Sequence, residues 1–333
     1  MSRLLLMAFL LCRSLPATSQ SAFLQVTPRA GEGLLALLRR YEVDAQAHKS
    51  AFIDLNKNKL GRRNSLKAGV SYRLRESWVQ AGKTEIRTYS IFGQEHQTVT
   101  ILNYKLEGAI FYIVPGHGGP DPGAVGKNER GKLCEDEYAY DVSLRLTKWL
   151  IERGALVYLI TRDDNDGIRD ATFLPCDKDE YAYLEGRIPI NQKARLTQRS
   201  DIVNTLSKKN KAVPYQRMLS IHVDSRSNDE NVDVYFYYHG HSRRGKALSQ
   251  DILGTIRRKY REYQPGRAYR GSIKTGSDLF VIKNTKPPAV LIELGNIINK
   301  RDQQRILLPG NRQALAKWIG EGLYLNFTKN KQR

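Results

Sequence analysis

From residue 109 onward, short apolar runs alternate with helical stripes, and this alternation restricts the fold more than any other feature of the chain. Four runs read as buried strands: residues 109–114, 155–161, 217–223 and 289–294. Between the first two, Tyr138, Val142, Leu146, Trp149 and Leu150 recur at helical spacing, and Gly154 follows as a stop. Between the last two, Leu248, Ile252 and Ile256 stand four apart within residues 245–259. Leu315, Ile319 and Leu323 mark a final helix over residues 313–327. Apolar strands separated by helices require a sheet covered on both faces. The predicted class is α/β, a three-layer α/β/α sandwich.

The polar chemistry sits where these strands end. The first run leads into Pro115-Gly116-His117-Gly118-Gly119, the third carries His222 near its end, and the fourth carries Glu293. Sites in open α/β sheets form outside the carboxyl ends of the strands. If these three strands are parallel neighbours, two imidazoles and a carboxylate meet at one rim. Cys134-Glu135-Asp136-Glu137 opens the first long helix, and a carboxylate from it can reach back to the same rim. Two His and one Glu leave one position open on a tetrahedral zinc, the ligand logic of a hydrolytic centre. Glu293 then remains as a base. A carboxylate within so apolar a run needs a partner or a role, because burying it alone is costly. His239-Gly240-His241 has no nearby carboxylate or thiolate to complete a site, so it is not assigned to a metal.

The ten residues His117-Gly118-Gly119-Pro120-Asp121-Pro122-Gly123-Ala124-Val125-Gly126 resemble the signature of the zinc-dependent N-acetylmuramoyl-L-alanine amidases, the type 3 amidase family. The similarity extends over residues 109–327. It takes in Thr161-Arg162-Asp163, Arg199, Asn204, Ser220-Ile221-His222, Tyr237-Tyr238, Ile292-Glu293-Leu294-Gly295, Asn299 and Asp302. The resemblance implies a phosphorylase/hydrolase-like catalytic domain over residues 108–328. It implies Zn2+ held by His117, Glu135 and His222, with Glu137 as the alternative to Glu135, and Glu293 as the catalytic residue. The implied reaction is hydrolysis of the amide between N-acetylmuramic acid and L-Ala of the peptidoglycan stem peptide. Two rival readings are a zinc peptidase cutting within the stem peptide and a non-catalytic wall-binding protein. A monomer is expected, and the need for an activator protein stays open.

Asp224 departs from the family pattern, which has Asn there. Residues 163–193 look like an insertion. Residues 163–187 carry eight Asp/Glu against three Lys/Arg, with Phe173, Tyr181 and Tyr183, and are expected to form a flap that shapes or covers the cleft. Cys134, beside Glu135, either pairs with Cys176 and tethers that flap or is simply buried.

Residues 24–75 read as a small β-α-α-β unit, with Leu34, Leu35, Leu37, Leu38 and Tyr41 on one helix and Phe52, Ile53 and Leu55 on the next. Ala30-Gly31-Glu32, Tyr41, Val43, Leu55-Asn56 and Leu66-Lys67-Ala68-Gly69 resemble a LysM module, which implies binding to N-acetylglucosamine-containing glycans. Residues 76–107 form a β-rich connector, with strands expected over 84–92 and 98–104. The chain carries 54 Lys/Arg and 34 Asp/Glu, a formal charge of +20, which favours an anionic polymer. The basic residues never cluster and no nucleic-acid motif is present, so nucleic acid is not an expected partner. Residues 1–21 combine Arg3, a nine-residue apolar run over 4–12 and small residues from Ala17, the pattern of a signal peptide. Export to the periplasm or cell envelope is therefore expected, and no other segment could span a membrane.

Overall fold

The computed structural model describes residues 23–29, 31–79, 85–225 and 231–331, so the predicted signal peptide lies outside the described residues. The chain divides into two units, Met1–Ala81 and Gly82–Arg333. In the first, β1 (Phe23–Val26), α1 (Leu34–Arg40), α2 (Ala45–Asn56) and β2 (Tyr72–Arg75) follow in order, and β1 pairs antiparallel with β2. Val26, Leu37, Leu38, Phe52, Tyr72 and Leu74 bury one another. Asp44 caps α2 by accepting from the N–H groups of Gln46 and Ala47. At the other end, buried Asn56 accepts from Arg73 N–H (2.7 Å) and donates to Arg73 O (2.8 Å), which fastens β2 to the helix.

The second unit opens with an antiparallel pair, β3 (Ile86–Thr88) and β4 (Thr98–Thr100). Both strands are shorter than predicted; Ser90–Phe92 leaves the extended path for one helical turn that buries Phe92. Next come β5 (Ala109–Pro115), a hairpin of β6 (Val125–Asn128) and β7 (Gly131–Cys134), α3 (Glu135–Ile151) and β8 (Leu156–Leu159). Three two-residue strands follow, β9 (Thr161–Arg162), β10 (Tyr181–Ala182) and β11 (Gly186–Arg187), and then α4 (Gln192–Lys209). The chain continues through β12 (Tyr215–Asp224), β13 (Tyr235–Tyr238), α5 (Arg243–Tyr263), β14 (Ile273–Thr275) and α6 (Phe280–Asn284). It ends with β15 (Ala289–Asn296), α7 (Lys300–Leu307) and α8 (Pro309–Lys331).

Six strands form the central sheet in the order β14-β13-β15-β12-β5-β8. β15, β12, β5 and β8 are mutually parallel, and β13 runs against β15. Side chains alternate across this sheet. Phe111, Ile113, Leu219, Ile221, Val290 and Ile292 pack with residues of α3, α5 and α8. Ile110, Tyr112, Val114, Met218, Ala289 and Leu291 pack with residues of α4 and α6. The result is the predicted three-layer sandwich. By the same alternation, His222 and Glu293 belong to the α4/α6 face. Among the described residues, no helix is long and apolar enough to cross a membrane.

The inserted segment is held to the body at several points. Cys134 and Cys176 form a disulfide across a sequence separation of 42. The fully buried Arg312 of α8 bonds Asp141 of α3 (2.5 Å) and donates to the carbonyls of Arg169 (2.7 Å) and Ala171 (2.8 Å). Replacing both cysteines by Ser is expected to lower stability by about 4 kcal/mol, the loop-closure term for a bridge of this span. The measurement is the unfolding free energy from urea titration, with midpoint and slope both fitted, because freeing the denatured chain also steepens the slope. Equal free energies for the variant and the parent would show that the bridge contributes nothing.

Candidate metal centre and catalytic site

Three elements bring polar donors to the carboxyl rim of the sheet. β5 ends at Pro115, and the chain turns at Gly116. A Cβ there would lie 2.4 Å from the His222 ring, so this position has to be glycine for the imidazole to fit. His117 then adopts a left-handed backbone, φ 67°, which costs free energy in a non-glycine residue. Two bonds hold it: Arg199 of α4 donates to its carbonyl, and Gly118 N–H donates to Asp121 O at 2.8 Å. The loop passes close to α3 at Gly123 (φ 70°), where a Cβ would lie 2.6 Å from both Glu135 Oε2 and the His117 ring.

Glu135, the first residue of α3, lies between the two imidazoles. Its Oε1 accepts from Val223 N–H (3.0 Å) and meets His222 Nδ1 at 2.8 Å. Its Oε2 accepts from Ala124 N–H (2.7 Å) and stands 3.2 Å from His117 Nε2. One donor atom each from His117, Glu135 and His222 lies within 4.8 Å of the others, a spacing that fits a single metal ion. Glu137, the alternative ligand, turns away: it bonds Arg169 (2.9 Å) and accepts from Asp177 N–H (2.9 Å). His239 and His241 belong to none of the potential metal-holding groups among the described residues.

Glu293 faces His222 across the parallel β12–β15 register and Tyr235 across the antiparallel β15–β13 register. It lines a groove of about 730 Å3 with Asp224, Tyr235, Tyr237, Asp278 and Leu291. His117 and His222 line a smaller cavity of about 170 Å3, which shares Leu279 and Leu291 with the groove. Asp224 accepts from the Tyr235 hydroxyl. Of the inserted segment 163–193, Gln192 alone lines either cavity among the described residues, and none of its acidic or aromatic residues does. That segment instead backs the His117 loop, where Gly119 N–H donates to Glu180 Oε2 at 2.6 Å.

Residues 111–324 match the family profile described as N-acetylmuramoyl-L-alanine amidase (Amidase_3). This chain belongs to that family. Among its relatives, the germination-specific N-acetylmuramoyl-L-alanine amidase of Bacillus subtilis is 28% identical over 224 residues, 67% of this chain and 82% of that protein. The probable cell wall amidase LytH of Staphylococcus aureus is 29% identical over 224 residues, again 67% of this chain but 60% of that protein. The CwlD amidase of Clostridioides difficile, solved in complex with the GerS lipoprotein, shares the fold with a TM-score of 0.50 at 19% identity. That likeness covers 66% of this chain and 98% of CwlD. Peptidoglycan hydrolysis is the function this membership supports.

The electrostatics at this rim follow from the shared carboxylate. Burial disfavours the Glu135 anion, but its bonds to His117 and His222 outweigh this and hold its pKa well below the usual carboxylate range. Burial likewise disfavours a His117 cation, yet Asp121 and Glu135 more than offset it and push its pKa up to about 10. His222 is shifted the other way, because burial dominates there. Sequence reasoning gave Asp121 no role. It bonds His117 Nδ1 at 3.0 Å and accepts from Arg195 of α4 at 2.7 Å, which orients the ring so that Nε2 faces Glu135. A signal was present: Arg195 and Arg199 stand four apart, on one face of a helix. Asp121→Asn is expected to weaken metal affinity about 10–100-fold, the usual effect of losing the group behind a ligating imidazole. Competition with a chromogenic chelator measures it, and an unchanged affinity would remove Asp121 from the site.

Proposed function

We propose that this amidase hydrolyses the amide joining the lactyl group of N-acetylmuramic acid to L-Ala of the stem peptide, with Zn2+ held by His117, Glu135 and His222. The observation that carries the reading is the convergence of these three donors at one rim, with Glu293 in register beside His222. Two imidazoles and a carboxylate suit zinc, and three protein ligands leave a position for water or substrate. When bound, zinc supplies a Lewis acid and makes a coordinated water acidic enough to lose its proton near neutral pH. Glu293 would take up a proton from the attacking water and return it to the departing amine. Asp121 and Arg195 keep His117 oriented, and Glu135 keeps the two rings apart at a centroid distance of 5.1 Å. The groove holding Glu293 receives the stem peptide, with Tyr235 and Tyr237 on its wall.

The N-terminal unit belongs to the same reading as a LysM-like glycan-binding module, delivered with the catalytic unit to the cell envelope by residues 1–21. Its support is the β-α-α-β order and the ring of Phe23, flanked by Arg73 and Arg75 at 5.8 and 5.5 Å.

The test is digestion of purified sacculi by the full chain, with and without a zinc chelator, and product masses as the readout. The expected products are intact stem peptides beginning at L-Ala and glycan strands with free lactyl groups, both absent with chelator. Fragments cut within the peptide would make the protein a peptidase. No product in either arm, with added envelope extract as well, would leave a binding protein.

A further inference from the structure

Beside the histidine site lies a second group of carboxylates that the proposed reaction does not use. Asp136 and Glu137 of α3 meet Glu180 of the inserted segment, with one oxygen of each within 4.8 Å of the others. Asp163, Asp177 and Glu180 form an overlapping group by the same measure, as do Glu137, Asp166 and Asp177. Six carboxylates thus share one region of a chain whose formal charge is +20. Arg169 is the one cation that bonds them among the described residues, through Glu137 and Asp166.

Acidic residues in a first helical turn ordinarily face solvent and offset the helix dipole. These do not: Asp136 and Glu137 are each 2% exposed. Asp136 Oδ1 accepts from Glu137 N–H, but Asp136 Oδ2 is buried and accepts no hydrogen bond. Asp177 Oδ1 is in the same condition. A buried carboxylate oxygen with nothing donating to it is costly, and its neighbours here are more carboxylates. Burial first, and the adjacent anions second, push Glu180 and Asp177 up to about 7.

We propose that Asp136, Glu137 and Glu180, with Asp163 and Asp177 adjoining through Glu180, bind a hard divalent cation, calcium, distinct from the ion between His117, Glu135 and His222. The donors are all oxygen, which selects against zinc and copper in favour of calcium or magnesium. Two oxygens sharing one calcium ion stand at most about 5.2 Å apart, and Asp136, Glu137 and Glu180 meet that limit together, as Asp163 and Asp177 do with Glu180. The irregular array, with helix and loop donors at unequal depths, suits the flexible coordination of calcium better than the strict octahedron of magnesium. The ion would fasten the inserted segment to the first turn of α3 and, through the Glu180 bond to Gly119 N–H, to the loop that carries His117.

The test uses the full chain loaded with zinc, in metal-stripped buffer with 1:1 zinc restored. Equilibrium dialysis against about 1 mM CaCl2, a concentration within reach of extracellular calcium sites, is followed by elemental analysis. One calcium per chain beside one zinc is expected, retained against equal magnesium. The thermal midpoint should rise by about 1–5 °C. The double variant Asp177→Asn/Glu180→Gln should keep zinc and lose both the calcium and the shift. Asp177→Asn alone, at a half-buried position, serves if the double variant does not fold. No calcium on the parent chain overturns the proposal. So does equal calcium on the variants, or calcium that displaces zinc instead of adding to it. None of these readouts depends on amidase turnover.

Discussion

Glu293→Gln is expected to leave zinc bound and to lower turnover on purified peptidoglycan about 100- to 10,000-fold, the range for removing a positioned acid–base group. The argument is geometric. His117, Glu135 and His222 close on one another without Glu293, so its loss should not strip the metal. Its place in the β12–β15 register sets it one strand away from His222, on the same sheet face and in the groove where a stem peptide would lie. Glutamine keeps the volume and the hydrogen-bonding reach but cannot take up a proton. The fold should therefore be preserved, and the zinc-to-protein ratio and the release of stem peptides should separate. Full activity in the variant would assign the proton to another group. Loss of zinc would make Glu293 a ligand.

The sheet was legible because its strands are almost wholly apolar and end in residues that have no business in a core. β5, β12 and β15 stand side by side and parallel, so three strand ends at one rim followed from topology alone. The third donor was harder. Glu135, Asp136 and Glu137 are neighbours in sequence, and only the helix geometry decides which side chain turns to the histidines and which to the inserted segment. Successive residues of a helix point about 100° apart, so Glu135 reaches the imidazoles and Glu137 reaches Arg169.

Helix α4 was not read at all. Its buried positions include Arg195, Gln198, Arg199 and Ser200, and its apolar face is limited to the buried Ile202, Val203 and Leu206 with the partly buried Leu196. A helix that faces a polar site carries little of the amphipathic pattern by which helices are recognised. The inserted segment was read as a flap because it is acidic and aromatic. The physical fact hidden from the sequence is where its acids go: Asp163 and Glu180 are buried against α3, and the disulfide and Arg312 hold the segment down. Charge in a sequence says nothing about exposure until the partners are known.

Glu135→Gln is expected to remove zinc and activity together, while Glu137→Gln keeps zinc. Both Glu135 oxygens already accept a backbone N–H, from Val223 and from Ala124. An amide can accept at one of these positions only. At the other its NH2 would confront an N–H donor, leaving a buried group unsatisfied at a cost of about 1–3 kcal/mol. The anion between His117 and His222 would vanish at the same time, and with it the charge that makes the pocket attractive to a cation. The loss of zinc affinity should therefore exceed the roughly 10–100-fold that follows from disturbing a group behind a ligand. Elemental analysis of the two variants, purified side by side, reads the difference. Glu137 bonds Arg169 and the Asp177 amide, not the imidazoles, so its amide variant should disturb the inserted segment and spare the histidine site. Zinc retained by Glu135→Gln and lost by Glu137→Gln would reverse the two roles and displace the centre from the rim where β5 and β12 end.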